Sequence, residues 1–302
     1  MVVVLAGGTG GAKLARGMLD VVGGDELCVV ANTGDDVEVY GVHVSPDPDL
    51  VALWLADLID GRGFGVRGDT WEVMGALERT GRETWFRLGD RDLALCLVRA
   101  ELLRGGRRLT EAHAEVVDAL GLDARVLPMC DEPVRTHVRA DGRWRPFQEF
   151  MIVDRAEPEV EAVELRGIEA ARPTPEVLAA LERAEAIVIG PSNPVISIGP
   201  ILAVPGMREA IAAAAAPVVA VSPFVAGRAV KGPTEAFCAH AGVEASAQGI
   251  VAAYAGVIDG IVSDEPVEGL PAIELDTLMD TPDARARVAH ATLDLARALA
   301  GG

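Results

Sequence analysis

The sequence has few aromatic, cysteine and basic residues for its length. Aromatic side chains make up 4% of the 302 residues although half of all residues are hydrophobic, so the core must be built from Ala, Val, Leu and Ile. The 27 Lys and Arg residues are outnumbered by 46 Asp and Glu, which gives a net charge of −19 at pH 7. A general nucleic-acid-binding protein needs a basic surface for phosphate, so this charge argues against a nucleic-acid partner.

Cysteines, histidines and long apolar runs are also too sparse to define a site. The four cysteines have no CxxC spacing and are expected to be reduced core residues; they are Cys28, Cys96, Cys130 and Cys238. The five histidines form no HxxxH pair, so we expect them to be structural or exposed. The longest apolar run, residues 210–221, contains Pro217 and is too short to cross a bilayer, and the N-terminus lacks the basic segment of a signal peptide. These absences predict a cytoplasmic protein without a membrane partner.

Short apolar segments alternate with helical patterns along much of the chain. Continuous Val- and Ile-rich runs separated by helices indicate a parallel sheet covered on both faces, and therefore a doubly wound, mostly parallel, Rossmann-like α/β fold. Ligands of such folds bind at the carboxyl ends of the strands. The expected strands are Val2–Ala6, Leu27–Ala31, Ala186–Ile189, Pro217–Val221 and Val257–Val262, and the expected helices of this part are Pro175–Ala184, Pro205–Ala216 and Gly232–Ala241.

The middle of the chain has a different composition, richer in Arg, Trp and helix-forming residues. We predict that residues 1–60 and 171–302 form an α/β core that binds a nucleoside diphosphate. Residues 61–170 would be an inserted helical and mixed cap over its ligand edge. Expected cap elements are the helices Thr70–Gly81, Asp90–Arg104 and Thr110–Leu120, followed by antiparallel segments at Val126–Met129, Val134–Val138 and Phe147–Val153. A closing helix is expected at Pro282–Leu299.

A glycine-rich turn follows the first strand and opens a helical pattern. Glycines let backbone N–H groups approach a diphosphate, and the start of a helix adds partial positive charge. The turn lacks the third glycine of the dinucleotide fingerprint and the ending of a P-loop, so its sequence alone is also compatible with a turn without a ligand. The candidate phosphate-binding residues are Gly8, Thr9, Gly10, Gly11 and Lys13.

Four carboxylates follow the second strand, at Asp35, Asp36, Asp47 and Asp49. Carboxylates beside a phosphate loop suit Mg²⁺ held by one or two protein oxygens together with phosphate and water. An acidic protein that binds phosphate also needs such a cation or local basic residues. Alternatively, Asp47 and Asp49 only cap a helix expected from about residue 50 to residue 58. Which of the four would bind metal is open at this point.

Two later loops and one cap segment carry further polar residues. The loop at residues 190–200 has three prolines and two glycines, and it presents Ser192, Asn193 and Ser197 from a rigid frame. The loop at residues 222–233 offers Arg228 and Lys231 as cationic contacts to phosphate, unless both are only solvated charges. In the cap, Arg87 and Arg91 lie beside Trp85, and a planar ring could stack over a guanidinium or over Trp85.

No Ser-His-Asp order, Cys/His pair or histidine metal set is recognisable, so a covalent hydrolase is not expected. Phosphate-binding loops beside carboxylates instead indicate phosphoryl or nucleotidyl-type transfer, in which positioning and charge stabilisation do most of the work. An aspartate, Asp49 or Asp36, would orient or deprotonate the attacking hydroxyl.

Five segments in this order resemble the 2-phospho-L-lactate transferase family of deazaflavin coenzyme F-420 biosynthesis. They are GGTGGAKLARG at 7–17, NTGDD at 32–36, SPDPD at 45–49, RLGDRD at 87–92 and IGPSNPVISIGPIL at 189–202. The resemblance implies a Mg²⁺-dependent enzyme. A guanosine diphosphate ester of lactate or enolpyruvate would donate its acid-bearing phosphate to the ribityl hydroxyl of the deazaflavin Fo, with release of GMP.

The resemblance also implies roles for particular residues. Asp49 and Arg87 match positions that contact Fo, and Asp36 with Asp49 would hold the metal. The glycine turn and the loop at 190–199 would hold the guanosine diphosphate portion. A homodimer is implied as well, and the choice between a lactyl and an enolpyruvyl donor is open.

Two other functions are compatible with parts of the pattern. Related proteins with the same glycine turn and sheet are nucleotide-sugar-binding regulators of carbon and cell-wall metabolism, and the RLGDRD segment of the cap argues against that alternative. A Rossmann-type oxidoreductase would use Asp35 or Asp36 for a ribose, but the missing third glycine argues against it.

Overall fold

The predicted parallel sheet forms the centre of the computed structural model, which describes residues 1–229 and 232–301. The strands of the described residues are β1 (Val2–Ala6), β2 (Leu27–Ala31), β3 (Val37–Val39), β4 (Val42–Val44), β5 (Arg125–Pro128), β6 (Arg135–Ala140), β7 (Arg143–Pro146), β8 (Ala162–Arg166), β9 (Ala186–Ile189), β10 (Val218–Val221), β11 (Phe224–Val225), β12 (Arg228–Ala229), β13 (Gly260–Ser263) and β14 (Ala272–Glu274). The helices are α1 (Gly8–Val22), α2 (Pro46–Leu55), α3 (Glu72–Arg79), α4 (Asp90–Arg104), α5 (Leu109–Ala119), α6 (Phe147–Ile152), α7 (Pro175–Glu182), α8 (Ile198–Ala203), α9 (Met207–Ala213), α10 (Thr234–Ala241), α11 (Ala247–Ala253) and α12 (Pro282–Ala300).

Seven strands pair in the order β14-β13-β10-β9-β1-β2-β5, and all neighbouring strands are parallel. The chain builds outward from β1 through β2 to β5, then returns to the other side of β1 and builds outward through β9, β10 and β13. Strand order therefore reverses between β1 and β9. Such a switch point opens a crevice at the carboxyl ends of the strands, where α/β folds bind ligands.

The sheet is covered on both faces, which confirms the doubly wound α/β class. One face packs against a cluster that includes Val177 of α7 and Ile250 of α11, and the other against Leu14 of α1 and Val288 of α12. The central strands are fully buried, as their uninterrupted apolar sequences predict. Among the described residues, no helix is both long and apolar enough to span a membrane.

Two expectations for the middle segment are wrong. Residues 126–129 were expected to pair antiparallel, but β5 pairs parallel with β2 at the edge of the central sheet. Residues 147–153 were expected to be extended, but they form α6, whose buried Phe147 and Phe150 pack on one side. The antiparallel sheet of this segment is β7-β6-β8. The proposed boundaries at residues 61 and 170 stay a prediction, with β5 belonging to the central sheet.

Other elements differ from expectation at their ends. Helix α2 begins at Pro46 and not near residue 50, because Pro46 and Pro48 occupy its first turn, where no intrahelical N–H is needed. Helix α8 begins at Ile198, within the loop that was expected to be non-helical. The last predicted strand starts later, at Gly260, since Val257 still belongs to a turn closed by its N–H on the carbonyl of Tyr254.

Candidate functional site

The glycine turn lies at the switch point, with loop 190–200 packed directly against it. A Cβ at Gly10 would lie 2.0 Å from the carbonyl oxygen of Pro191, and one at Gly11 would lie 2.6 Å from Oγ of Ser192. Side chains at these two positions would force the loops following β1 and β9 apart. The glycines therefore bring the N-terminus of α1 and loop 190–200 into one wall.

Asp47 connects this wall to the first turn of α2. The backbone N–H of Gly8 donates to Oδ1 of Asp47 at 2.7 Å, and Nδ2 of Asn32 donates to Oδ2 at 3.0 Å. Burial raises the pKa of Asp47 to about 6, although both hydrogen bonds favour the carboxylate. Asp47 therefore holds the start of α2 against the start of α1.

Asp36 is held inside the protein by two side chains. His43 Nε2 lies 2.8 Å from Oδ2 of Asp36, and the hydroxyl of Ser45 donates to Oδ1 at 2.8 Å. His43 Nδ1 also lies 2.6 Å from Oε1 of Glu38. Burial disfavours the imidazolium, but the hydrogen bond to Asp36 and its charge oppose burial and raise the pKa of His43 overall. Both oxygens of Asp36 are thus engaged by protein groups.

Asp49 forms a buried ion pair with Arg99 of α4. Nη2 of Arg99 donates to Oδ1 of Asp49, and Nη1 donates to the carbonyl oxygen of His43 at 3.2 Å. Arg99 is completely buried, and Nδ1 of His113 lies 3.9 Å from the same Asp49 oxygen. Burial, followed by the charge of Arg99, holds the pKa of His113 well below its usual value.

Arg99 was not among the residues predicted from sequence, and His43 and His113 were expected to be structural or exposed. A signal for Arg99 was present, because it lies on the helix face that carries the buried Leu93, Cys96 and Ala100. An arginine on the apolar stripe of a helix needs a buried partner. The sequence could not show that this partner is Asp49, fifty residues earlier.

Asp35 has the least satisfied carboxylate of the group. It is buried, and its Oδ1 has no hydrogen-bond partner among the described residues. Burial, then the charge of Asp47, raises the pKa of Asp35 well above its usual value, although the nearby side chains of Asn32 and Thr136 act to lower it. A buried acceptor without a partner is costly unless a ligand or cation completes it.

The cap contributes Arg87 and Asp92. The guanidinium of Arg87 lies 5.4 Å from the centroid of the Trp71 ring, and its Nη1 donates to Oε1 of Glu78 at 2.9 Å. Burial, followed by the charges of Asp49 and Asp69, raises the pKa of Asp92 to about 7. Trp85, one of the stacking groups predicted from sequence, packs edge-on against Phe86.

Two capping aspartates exchange roles between α3 and α4. Asp69 accepts the N–H groups of Arg91 and Asp92 at the start of α4, and Asp90 accepts those of Glu72 and Val73 at the start of α3. This exchange fixes the two helices to each other and so positions Arg87 and Asp92.

Asn193 and Lys13 line the same crevice, whereas the exposed Arg228 is not among its lining residues. The side-chain carbonyl of Asn193 accepts the N–H groups of Val195 and Ile196, while its buried Nδ2 has no partner among the described residues. Nζ of Lys13 forms an ion pair with Asp280 at 2.7 Å. Lys231 lies outside the described residues.

One cavity of about 610 Å³ brings most of these groups together. It spans the crevice of the sheet and the underside of the cap. Of the predicted site residues, Gly8, Thr9, Gly10, Lys13, Asp49, Arg87, Ser192, Asn193 and Ser197 line it, together with Asp35, Asp47 and Asp92. Gly11 and Asp36 are buried and are not among its lining residues.

An oxygen-rich site of this kind can take a divalent cation together with a phosphate. The residues described here contain no group of three or more His, Cys, Asp or Glu side chains arranged to hold a metal ion. Asp35, Asp47 and Asp49 are oxygen donors on the cavity wall, and the open Oδ1 of Asp35 is an acceptor for a cation. These donors fit Mg²⁺, which is commonly held by one or two carboxylates and completed by phosphate and water.

Comparison with known proteins gives matches over nearly the whole chain. The model of the family described as 2-phospho-L-lactate transferase CofD matches residues 2–289. A phosphoenolpyruvate transferase of Kitasatospora aureofaciens is 40% identical over 318 residues, covering 100% of this chain and 99% of its own. A 2-phospho-L-lactate transferase of Methanosarcina mazei is 39% identical over 264 residues, covering 87% of this chain and 86% of its own.

A solved structure shares the fold at lower sequence identity. A protein member of the upf0052 family from Bacillus halodurans aligns with a TM-score of 0.62 and 20% identity, covering 97% of this chain and 98% of that one. This likeness supports the α/β architecture and says nothing of the chemistry.

Proposed function

Because the chain belongs to the 2-phospho-L-lactate transferase CofD family, we propose that it transfers a phospholactyl or phosphoenolpyruvyl group to the deazaflavin Fo. The donor is a guanosine-diphosphate-activated three-carbon acid, and the acceptor is the terminal ribityl hydroxyl of Fo. The hydroxyl oxygen bonds to the acid-bearing phosphorus, the bond from that phosphorus to the GMP oxygen breaks, and the hydroxyl proton is released. The product is a phosphodiester of coenzyme F-420 biosynthesis.

The observation that carries this proposal is the joint cavity of the glycine turn and the cap. The N-terminus of α1 and Asn193 lie on one wall, and Arg87 lies on the other. The first N–H groups of a helix favour a diphosphate, and the unpartnered amide of Asn193 needs an acceptor such as a phosphate oxygen. A transferase needs donor and acceptor side by side, and this cavity spans both walls.

The acceptor hydroxyl would be oriented by Asp49. Its carboxylate is held by Arg99, so it can accept the hydroxyl hydrogen from a fixed position. Arg87 supplies a cation on the cap wall for polar groups of Fo. We expect orientation to matter more than proton abstraction, because a carboxylate bound to a metal ion is a weak base.

Mg²⁺ is part of the proposal, and Asp49 with Asp35 would hold it. Bound there, the cation supplies positive charge for the diphosphate and for the departing GMP. Asp36 was predicted as a ligand from the resemblance, and it stays a candidate. Its hydrogen bonds to His43 and Ser45 are also consistent with a structural role, in which Asp36 fixes the chain beside Asp35. A homodimer in the cytoplasm remains part of the proposal on the resemblance alone.

The acceptor half is tested by titrating the protein with Fo, whose own fluorescence reports binding, with and without Mg²⁺ and GDP. Wild-type protein should bind saturably, and Arg87→Met should raise the Kd about ten-fold or more, as expected for a lost charged contact. Arg91→Met is the matched control, because this exposed arginine of α4 does not line the cavity. Absence of Fo binding under all conditions would remove the transferase proposal and favour a nucleotide-sugar-binding regulator.

A further inference from the structure

A glycine-rich hairpin at residues 60–68 holds an exposed phenylalanine, Phe64, at the cavity. Phe64 lies between Gly63 and Gly65, which have φ values of 86° and 72°, in the left-handed region that favours glycine. The side chain of Phe64 is 56% exposed, yet it is one of the cavity-lining residues. A ring exposed to this extent contributes little buried apolar surface to the core.

The hairpin is well anchored at its base, so its tip has a defined place. Ile59 and Val66 form an antiparallel bridge, and both are buried against Leu53 of α2. The N–H of Asp60 donates to the carbonyl of Gly65 at 2.9 Å, and the N–H of Gly63 donates back to the carbonyl of Asp60 at 2.8 Å. The turn therefore positions Phe64 by backbone contacts that do not require its side chain.

Phe64 belongs to a stack of alternating rings and guanidinium groups on the cap side. The guanidinium carbon of Arg62 lies 5.1 Å from the Phe64 ring centroid and 5.7 Å from that of Trp71. Arg87 lies 5.4 Å from the Trp71 ring. All four side chains line the cavity. Planar groups kept together at a cavity wall provide a surface for one more planar group.

Aliphatic side chains also line the cavity. Ile152 of α6 is 40% exposed, and Met151 beside it also lines the cavity. A flat, largely apolar ring system can thus contact both aromatic and aliphatic side chains of the cavity. The guanine of the donor is planar as well, so we assign the platform to the acceptor because Arg87, which addresses the acceptor in the proposed function, stacks on Trp71.

We propose that Phe64 and Trp71 form the stacking surface for the conjugated ring of the acceptor, and that Phe64 selects acceptors with such a ring. The inference rests on the proposed function, since it assigns a subsite within the same cavity. It gives Phe64 a specificity role, whereas Asp49 and Arg87 address polar groups of the acceptor.

The test is a fluorescence titration of Fo against wild-type, Phe64→Ala and Phe64→Tyr proteins, with GDP affinity measured in parallel. Loss of one stacking partner should raise the Kd for Fo roughly 5- to 150-fold in Phe64→Ala. Phe64→Tyr keeps a ring and should stay within about two-fold of wild type. GDP affinity should be unchanged in both variants. Stacking should also lower the absorbance of the bound Fo ring, and this change should shrink in Phe64→Ala at saturation.

Matched controls separate the possible failures. Leu97→Ala removes an apolar side chain of similar exposure, 49%, from the part of α4 that does not line the cavity, and it should bind Fo as wild type does. Because Phe64 is exposed, Phe64→Ala should unfold at the same temperature as wild type. Wild-type binding with equal affinity in Phe64→Ala would overturn the stacking inference alone. Absence of Fo binding by the wild type would overturn the proposed function, and the stacking inference with it.

Discussion

Replacing Arg99 by Met tests whether the buried ion pair organises the site. Arg99 has no exposed surface, and its guanidinium contacts Asp49 and the carbonyl oxygen of His43. Methionine keeps an unbranched apolar stem of similar course, so the change removes charge and hydrogen bonds more than packing. Asp49 would then be a buried carboxylate without its cation.

Breaking a buried pair by removing one partner costs about 3–5 kcal/mol of unfolding free energy. Burial already raises the pKa of Asp49, although the charge and hydrogen bond of Arg99 oppose that rise. Without Arg99 the pKa of Asp49 must rise further. The pKa of Asp49 in the folded protein then lies above its value in the unfolded chain, so stability is lost as the pH rises from the unfolded pKa through the folded pKa. Each pH unit between these two values changes the free energy of unfolding by up to about 1.4 kcal/mol.

The assay is urea unfolding of wild type, Arg99→Met, Asp49→Asn and the double variant at pH 5.5 and pH 8. We expect Arg99→Met to be destabilised most at pH 8, and the double variant to regain most of the loss because no charge is left unpaired. Arg91→Met, an exposed change in the same helix, should stay within about 0.5 kcal/mol of wild type. A cost below about 1 kcal/mol at pH 8, or one without pH dependence, would refute the reasoning.

Three further predictions concern other parts of the site. Gly10→Ala should destabilise the protein by about 1–3 kcal/mol and abolish GDP binding, because its Cβ would meet the Pro191 carbonyl. The control Gly75→Ala, inside α3, should be neutral or stabilising. Thermal unfolding and GDP titration measure both variants. Asp92→Asn should raise the free energy of unfolding more at pH 8 than at pH 5, by up to about 3 kcal/mol. The reason is that Asp92 has a raised pKa of about 7, so in wild type its ionisation destabilises the folded protein as the pH rises. Equal effects at both pH values in urea unfolding would contradict this. Asp35→Asn should raise the unfolding temperature without ligand but lose the extra stabilisation that Mg²⁺ with GDP gives wild type; a retained shift would exclude Asp35 as a ligand.

The sequence predicted much of the α/β core because local pattern and tertiary role agree there. Strands β1, β2 and β9 and helix α4 have the predicted bounds, since uninterrupted apolar runs and a long helical pattern are strong signals. Strand β5 is also largely apolar in sequence, but the strand with which it pairs is set by the topology of the sheet. Short segments such as residues 147–152 are ambiguous, because six apolar-rich residues suit a helix or a strand.

The site was predictable in position but not in its internal contacts. The rule that loops follow strand ends at one edge of a sheet correctly brought the glycine turn, Asp49 and loop 190–200 together. The same rule could not separate Asp35 from Asp36, because adjacent residues differ only in the direction of their side chains. Arg99 and Phe64 were missed for a related reason: each acquires its role from residues distant in sequence.

The most direct test of the account is group transfer with purified protein, Fo, Mg²⁺ and a GDP-activated enolpyruvyl or lactyl donor. Mass spectrometry follows the phosphodiester of Fo, and chromatography follows GMP. The account predicts product and GMP in equal amounts with at least one donor, no GMP release without Fo, and no product with Asp49→Asn. It would be contradicted if neither donor gave product with protein that binds both Fo and GDP, or if GMP were released equally without Fo.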